Sequence, residues 1–155
     1  MIMKIINANR NHAKEISRLM LADLENPNPR FPKEMIDKFR AHAKEPGILK
    51  EFENPKLIAF VAINKNNVIG FIVGYEEDHN NSMIHYVTAR KHDAQEKLLN
   101  RFIEECKFKN IKKIRADAFE FMDNNEFFKS HNFVFTRKEK LAPNLEVLWY
   151  ELNLT

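Results

Sequence analysis

Hydrophobic residues follow helical spacing in some segments of the chain and strand-like spacing in others, which predicts a mixed α/β fold. Lys4–Ala8 predicts a short first strand. Two segments with one apolar face each predict two helices, the first capped by Asn11 and the second ended by Pro46-Gly47. The loop 26–32 between them contains three prolines, which exclude a helix. The apolar faces consist of Ile16, Leu19, Met20 and Leu24, and of Met35, Ile36, Phe39 and Ala43.

The middle of the chain predicts a buried hairpin, then a strand and a long helix. The segments KLIAFVAIN and VIGFIVGYEED are largely apolar, so we expect two strands that are covered on both faces. Gly70 and Gly74 indicate a bulge or a close backbone approach. Met83–Val87 predicts the next strand, and the helix that follows should end near Asn110. Its apolar stripe consists of Leu98, Leu99, Phe102, Ile103 and Cys106.

The last third of the chain completes the predicted sheet. Ile111–Phe119 predicts a strand, Asp123 or Asn124 can cap a short helix, and a final hairpin turns at Pro143-Asn144. The strand–helix–strand order around residues 83–119 requires one parallel pair with a right-handed crossover. We therefore expect a single domain over residues 1–155 of the α/β (α+β) class. Its mixed sheet should have six to seven mostly antiparallel strands and about four flanking helices.

Composition narrows the range of partners. The net charge of +3 is too small to indicate a nucleic-acid partner, and a nucleic-acid module is the weakest alternative. The longest apolar run, Leu57–Ile63, is far below the roughly 20 residues of a membrane helix, so we expect no membrane partner. The single cysteine suits a cytoplasmic protein. We expect no metal site, because the histidines lack metal-ligand spacing; they include His12, His42, His79, His92 and His131.

Five consecutive segments together resemble the GNAT superfamily, the Gcn5-related N-acetyltransferases. They are VIGFIVG, MIHYV, RKHDAQEKLLNRFIEE, IKKIRADAF and NNEFFKSHNFVF, and the resemblance covers nearly the whole chain. It implies that the parallel strand pair splays apart. It also implies transfer of an acetyl group from acetyl-CoA to a primary amine, carried by a small molecule or a peptide. The CoA pyrophosphate would lie at the start of the helix after the fourth strand.

The resemblance implies a set of cofactor-binding residues. The family loop R/Q-x-x-G-x-G/A falls on residues 90–95, where Asp93 and Gln95 replace glycines. Asp93 could instead be the N-cap of the helix. Phe128 stands where many members have a tyrosine that protonates the departing thiolate, and Asn132 replaces a glycine. The implied cofactor contacts are Ile84, His85, Tyr86, Val87, Arg90, Lys91, His92, Asp93, Ala94, Gln95, Asn125 and Phe128.

Amine acetylation needs a base, and several residues are candidates. The unperturbed pKa of a histidine side chain, about 6.5, suits the task, so His85 is one candidate. Glu76 and Asp117 are further candidates, as are the neighbouring acids Glu77, Asp78 and Glu120, and Tyr86 could act as the acid. The missing loop glycines and Phe128 keep an alternative open, a catalytically inactive GNAT-fold binding or regulatory module. An exposed edge in the last hairpin favours a homodimer.

Overall fold

The computed structural model describes residues 2–78 and 80–154 of the chain; His79, one of the histidines considered above, lies outside them. The strands are β1 (Lys4–Asn7), β2 (Leu57–Asn64), β3 (Asn67–Glu76), β4 (Asn81–Ala89), β5 (Lys113–Phe119), β6 (Val134–Ala142) and β7 (Leu145–Asn153). The helices are α1 (Ala13–Asp23), α2 (Lys33–Ala43), α3 (Glu45–Glu51), α4 (His92–Phe108) and α5 (Asn124–Ser130), and a 3-10 helix, Arg10–His12, precedes α1.

The strands form one seven-stranded sheet in the order β1-β2-β3-β4-β5-β7-β6. Only β4 and β5 pair in parallel, and the other neighbours are antiparallel. This arrangement confirms the predicted fold class, including the parallel pair on either side of a crossover helix. The structure has one helix more than expected.

Two hydrophobic cores lie on opposite faces of the sheet. On one face, α4 buries Leu98, Leu99 and Phe102 against strand residues such as Ile72. On the other face, α1 and α3 pack against β2 and β3, with Ile16 of α1 fully buried. The predicted burial of β2 and β3 on both faces is therefore confirmed. No helix of the described residues has the length and apolar character needed to cross a membrane.

Two expectations about helix ends are wrong. The side chain of Asn9, and not that of Asn11, accepts the first-turn hydrogen bond, and it caps the 3-10 helix ahead of α1. Pro46-Gly47 does not end α2. It lies in the first turn of the next helix, α3. Proline is tolerated there because a first-turn N–H has no partner within the helix.

Positive backbone φ angles occur at three asparagines and one lysine of the described residues. Lys65 and Asn66, at φ 51° and 66°, form the two-residue turn of the β2–β3 hairpin. Asn110, at φ 61°, follows the end of α4 and confirms the predicted stop. Asn132, at φ 72°, adopts a left-handed conformation at the position where the family has glycine.

Candidate functional site

The sheet opens between β4 and β5. Their pairing covers only the first residues of the two strands and ends at Met83 opposite Arg115. The pairing of β3 with β4 also shifts register here, since Val73 lies opposite Tyr86 but Gly74 lies opposite Ile84. His85 is the extra residue of this bulge. The strands therefore diverge over the segment that was predicted to contact the cofactor.

Gly74 is required by the close packing behind this opening. A Cβ atom at this position would lie 2.4 Å from the carbonyl oxygen of Met83 and 2.6 Å from Cζ of Phe102. The predicted close approach at Gly74 is confirmed. Because no side chain fits between β3, β4 and α4, the bulge is fixed in position by the core beneath it.

The start of α4 offers free backbone donors. Lys91 is the N-cap residue and its side chain makes no capping bond. The first backbone hydrogen bond of the helix runs from Gln95 N to Lys91 O at 3.2 Å. Within residues 2–78 and 80–154, no hydrogen bond is found for the N–H groups of His92, Asp93 and Ala94. These donors and the positive end of the helix dipole favour an anion.

Asp93 is exposed in the first turn of α4 and does not cap the helix, so the N-cap alternative is wrong. The backbone of Lys91 already occupies that position in an extended conformation. Asp93 does place a negative charge beside the free N–H groups. His92 forms an ion pair with Glu96 at 3.0 Å, one turn along the helix.

Two predicted site residues contact α1 instead of facing the opening. The Tyr86 ring stacks on Phe71, and its hydroxyl donates to Asp23 at 2.8 Å. Burial raises the Tyr86 pKa, as do the charge of Asp23 and its hydrogen bond to the phenol. Arg90 donates to the same carboxylate at 3.0 Å and to Leu19 O at 3.1 Å. Asp23 thus holds both side chains against α1.

His85 and Asp117 come together at the opening, on the sheet face opposite α4. Neighbours of Asp117 in β5, such as Ala116, belong to the core under α4, and strand alternation turns Asp117 to the other face. Burial raises the Asp117 pKa, while the charges of His85 and Arg115 lower it. Asp117 is partly buried and lies within electrostatic reach of His85, which makes it a candidate proton acceptor at the opening.

Glu76 does not join this pair. Strand alternation places it on the opposite face from Tyr75, on the side of α4 and Cys106. The other acids predicted near the opening have local partners. Glu77 pairs with Arg115 at 3.1 Å, and Asp78 accepts backbone hydrogen bonds in its own loop. Of the predicted bases in this region, His85 and Asp117 are the ones that share the opening.

Asn125 and Phe128 are buried in this structure, and their expected contact with the cofactor stays a prediction. Phe128 is 1% exposed and packs against Phe133 and Tyr150. Asn125 is also buried; its amide donates to Phe119 O at 2.8 Å, and its carbonyl accepts from the Tyr150 hydroxyl at 2.7 Å. Neither side chain has a free face for a ligand.

Cys106 lies in the core, as its place in the α4 stripe predicts. It is fully buried, and burial raises its pKa to about 11. Its sulfur lies 3.3 Å from the Ser82 hydroxyl. A thiol in these surroundings stays protonated at neutral pH and is not a nucleophile.

The loop before α2 borders a second surface feature. A cavity of about 360 Å³ lies between residues 29–32 and the β6–β7 turn at Pro143-Asn144. Phe31 makes edge contacts with Phe119 at 4.7 Å and with Phe121 at 5.1 Å. Phe31 thus connects the wall of this cavity to Phe119 at the end of β5, two residues beyond Asp117.

Sequence reasoning missed the residues contributed by α1 and α3. Glu51, the last residue of α3, accepts from or donates to His42 Nε2 at 2.6 Å, depending on which group holds the proton. His42, Glu51 and His85 each place one ligand atom within 4.8 Å of the others. Asp23 is equally unexpected. These residues are distant in sequence from their partners, and no local pattern marks them.

Comparison with solved structures identifies the architecture. A protein from Desulfovibrio desulfuricans provisionally assigned to the GNAT acetyltransferase family has a TM-score of 0.79 at 10% identity, over 99% of this chain and 100% of that chain. An aminoglycoside 6'-N-acetyltransferase from Enterococcus faecium has a TM-score of 0.74 at 14% identity, over 100% and 98%. The chain has the GNAT fold.

A third solved structure adds a ligand. The PaiA N-acetyltransferase from Thermoplasma acidophilum, in complex with coenzyme A, has a TM-score of 0.71 at 14% identity, over 96% of this chain and 98% of that chain. No family profile and no curated protein matches the sequence. In GNAT-fold terms, α4 is the helix after the fourth strand and the β4–β5 opening is the splayed parallel pair.

Proposed function

We propose that this GNAT-fold protein transfers the acetyl group of acetyl-CoA to a primary amine. The observation that carries the proposal is the combination of the β4–β5 opening with the uncapped start of α4. Pairing of the two strands ends at Met83, and the free N–H groups of residues 92–94 follow directly after β4. An extended acyl donor with an anionic end fits such a cleft. The N–H groups at the helix start attract its phosphate, and unpaired N–H groups at the strand ends can donate to its acyl carbonyl.

The backbone of the chain would hold the donor. The N–H groups of His92, Asp93 and Ala94 would bind the diphosphate, and those of Ile84–Val87 would donate to the thioester carbonyl, where negative charge develops. Lys91 and Gln95 complete the helix start. The Arg90 side chain is not part of this proposal, since it is bonded to Asp23. Acetyl-CoA supplies the activated acyl group. Because position 128 is a phenylalanine and not a tyrosine, the CoA thiolate would leave without a proton donor at that position.

Asp117 is the residue that we propose accepts the proton of the acceptor ammonium. It lies beyond the end of the β4–β5 pairing on the sheet face opposite α4, and burial raises its pKa, which makes its carboxylate a stronger base. The aromatic cavity beside residues 29–32 would receive the amine-bearing molecule. Aminoglycosides are a first class to test because one similar structure is an aminoglycoside acetyltransferase, followed by polyamines and peptide N-termini.

Calorimetric titration with acetyl-CoA and CoA tests the donor site. We expect micromolar binding to the wild-type protein. Asp93→Asn should bind about fivefold more tightly, because removing one charge near a diphosphate in a wet site is worth about 1 kcal/mol. Glu104→Gln removes an exposed charge from the far half of α4 and serves as the control. Absence of heat and of thermal stabilisation at millimolar ligand would refute the donor site.

The acceptor reaction needs a separate measurement. Release of the CoA thiol is followed across the amine panel, and Asp117→Asn should lower kcat at least about 100-fold while acetyl-CoA affinity is unchanged. Tight acetyl-CoA binding with no turnover of any amine would favour the second candidate, an inactive binding or regulatory module. The exposed Asp93 beside the helix start, together with a buried phenylalanine at position 128, supports that candidate.

A further inference from the structure

We propose that His42, Glu51 and His85 form a binding site for a divalent transition-metal ion, with Zn²⁺ as the best-fitting ion. His42 and Glu51 have no role in the acetyl transfer proposed above. His85 contributes only its backbone to the opening. They come from the end of α2, the end of α3 and the bulge of β4. One ligand atom of each lies within 4.8 Å of the other two, and among the described residues no other triad meets this spacing.

The corner between α2 and α3 brings the first two ligands together. A single residue, Lys44, separates the two helices. A Cβ atom at Gly47 would lie 2.2 Å from the carbonyl oxygen of His42, so only glycine lets α3 fold back this closely. Glu51 then lies at the end of α3 with its carboxylate 2.6 Å from His42 Nε2. The glycine that sequence reasoning assigned to a helix stop is the residue that builds this corner.

The β4 bulge supplies the third ligand. As the extra residue between two ladder positions, His85 is turned out of the sheet and is exposed. Its ring makes edge contacts with His42 and Tyr75, at centroid distances of 6.2 Å and 6.0 Å. Over residues 2–78 and 80–154, no hydrogen bond is found for either ring nitrogen of His85. A histidine that is aimed at a His–Glu pair with both nitrogens free is suited to coordinate an ion.

Two imidazoles and one carboxylate are a ligand set found in zinc sites. The three protein ligands of such a site leave one coordination position free. Zinc–ligand distances of about 2.0–2.2 Å separate tetrahedral donors by roughly 3.2–3.6 Å. The His42–Glu51 contact must therefore lengthen and His85 must move closer. The His42 side chain is 43% exposed and His85 is also exposed, so side-chain rotation suffices. Binding displaces the proton that His42 and Glu51 share.

Tyr75 supports the carboxylate from outside the triad. Its hydroxyl lies close to the Glu51 carboxylate, and its ring lies 6.0 Å from that of His85. A phenol that donates to a ligating carboxylate fixes the orientation of that carboxylate. The site lies on the sheet face opposite α4, so a bound ion would border the acceptor side of the opening and leave the diphosphate region free.

The chain contains a matched control cluster. Glu96 of α4 lies 3.0 Å from His92 Nε2 and 3.6 Å from His131 Nε2. This trio has the same residue types, but among the described residues its three ligand atoms do not all lie within 4.8 Å of one another. If imidazoles and carboxylates near the surface bound zinc without regard to geometry, both clusters would do so. The proposal predicts binding at the first cluster only.

Zinc binding is measured on protein purified without a polyhistidine tag, by competition with a chromogenic chelator, and Co²⁺ absorption reports the coordination geometry. We expect one equivalent of Zn²⁺ and tetrahedral Co²⁺ bands. His42→Ala, Glu51→Gln and His85→Ala should each weaken binding by at least about 100-fold, since loss of outer partners alone costs 10–100-fold. Tyr75→Phe should weaken it by about tenfold. His92→Ala should leave it unchanged.

His85→Ala is the decisive variant, because this exposed side chain makes no hydrogen bond in the described structure. Its melting temperature without metal should match the wild type, so loss of zinc affinity would not reflect unfolding. Unchanged affinity in His85→Ala, or affinity lost only in His92→Ala, would overturn the proposal. Absence of zinc binding at about 100 µM would also overturn the proposal. His42 and Glu51 would then be only a hydrogen-bonded pair.

Discussion

Asp117 illustrates at the residue scale how the residue proposed as the base would cost stability. Burial raises its pKa above the ordinary value of 3.8, so the folded protein favours the protonated form. Stability from this group is fully present below pH 3.8 and is lost as the pH rises through the raised pKa. Above the raised pKa the folded state holds an ionised carboxylate in surroundings that disfavour its charge.

We predict that Asp117→Asn raises the melting temperature at pH 7. The gain should vanish at pH 3 and grow as the pH rises through the raised pKa, because only the wild type has a charge to bury. Melting temperatures of both proteins across this range measure the difference. Asp37→Asn, an exposed acid of α2, is the control and should show no such trend. A gain that does not depend on pH would refute burial as its cause.

Asp23 shows at the same scale why sequence could not predict the whole site. It accepts hydrogen bonds from Tyr86 and Arg90, which follow it by 63 and 67 residues. Asp23 is the last residue of α1, and nothing in the neighbouring sequence marks it as a partner of later residues. The sequence predicted correctly that β4 leads into a helix start. It could not show that two side chains of this segment are bonded to α1, because a contact of that range leaves no local pattern.

At the scale of elements, the sequence was most informative where periodicity is long. The stripe of α4 and the apolar runs of β2 and β3 have many residues in one pattern, and their burial was predicted correctly. The seven-residue α3 was missed, because its apolar pattern is short and its first turn contains Pro-Gly. Glu51 and the His42 contact were missed with it. Errors about short helices thus became errors about the site.

Gly74 provides a test of how tightly the elements around the opening are packed. Gly74→Ala should destabilise the protein by about 1–3 kcal/mol, since the added methyl group overlaps Met83 O and the Phe102 ring. Urea denaturation measures the change. Asn67→Ala at the exposed start of the same strand is the control and should change stability by less than about 0.5 kcal/mol. Equal stabilities of Gly74→Ala and the wild type would contradict the packing of β3 against α4.

At the scale of the whole molecule, the sheet has two edges, and β6 is the longer one. Every residue of β6 except Glu139 and Ala142 is exposed, and the strand has two register irregularities against β7. Charges at Arg137, Lys138 and Lys140 also disfavour regular pairing with another strand. The start of β6 has no such charges and is apolar, with Val134 66% exposed next to Phe135.

The homodimer expected from the sequence stays a prediction, and we predict that its contact is this apolar end of β6. Sedimentation velocity at about 100 µM should then show a dimer for the wild type and a monomer for Val134→Glu, because a charge there would be buried without a partner. Leu141→Glu alters an equally apolar, exposed residue at the opposite end of the strand and should stay dimeric. A monomeric wild type would refute the dimer. A dimer that survives Val134→Glu would place the contact elsewhere, with the four-residue edge β1 and its exposed Ile6 as the next surface to alter.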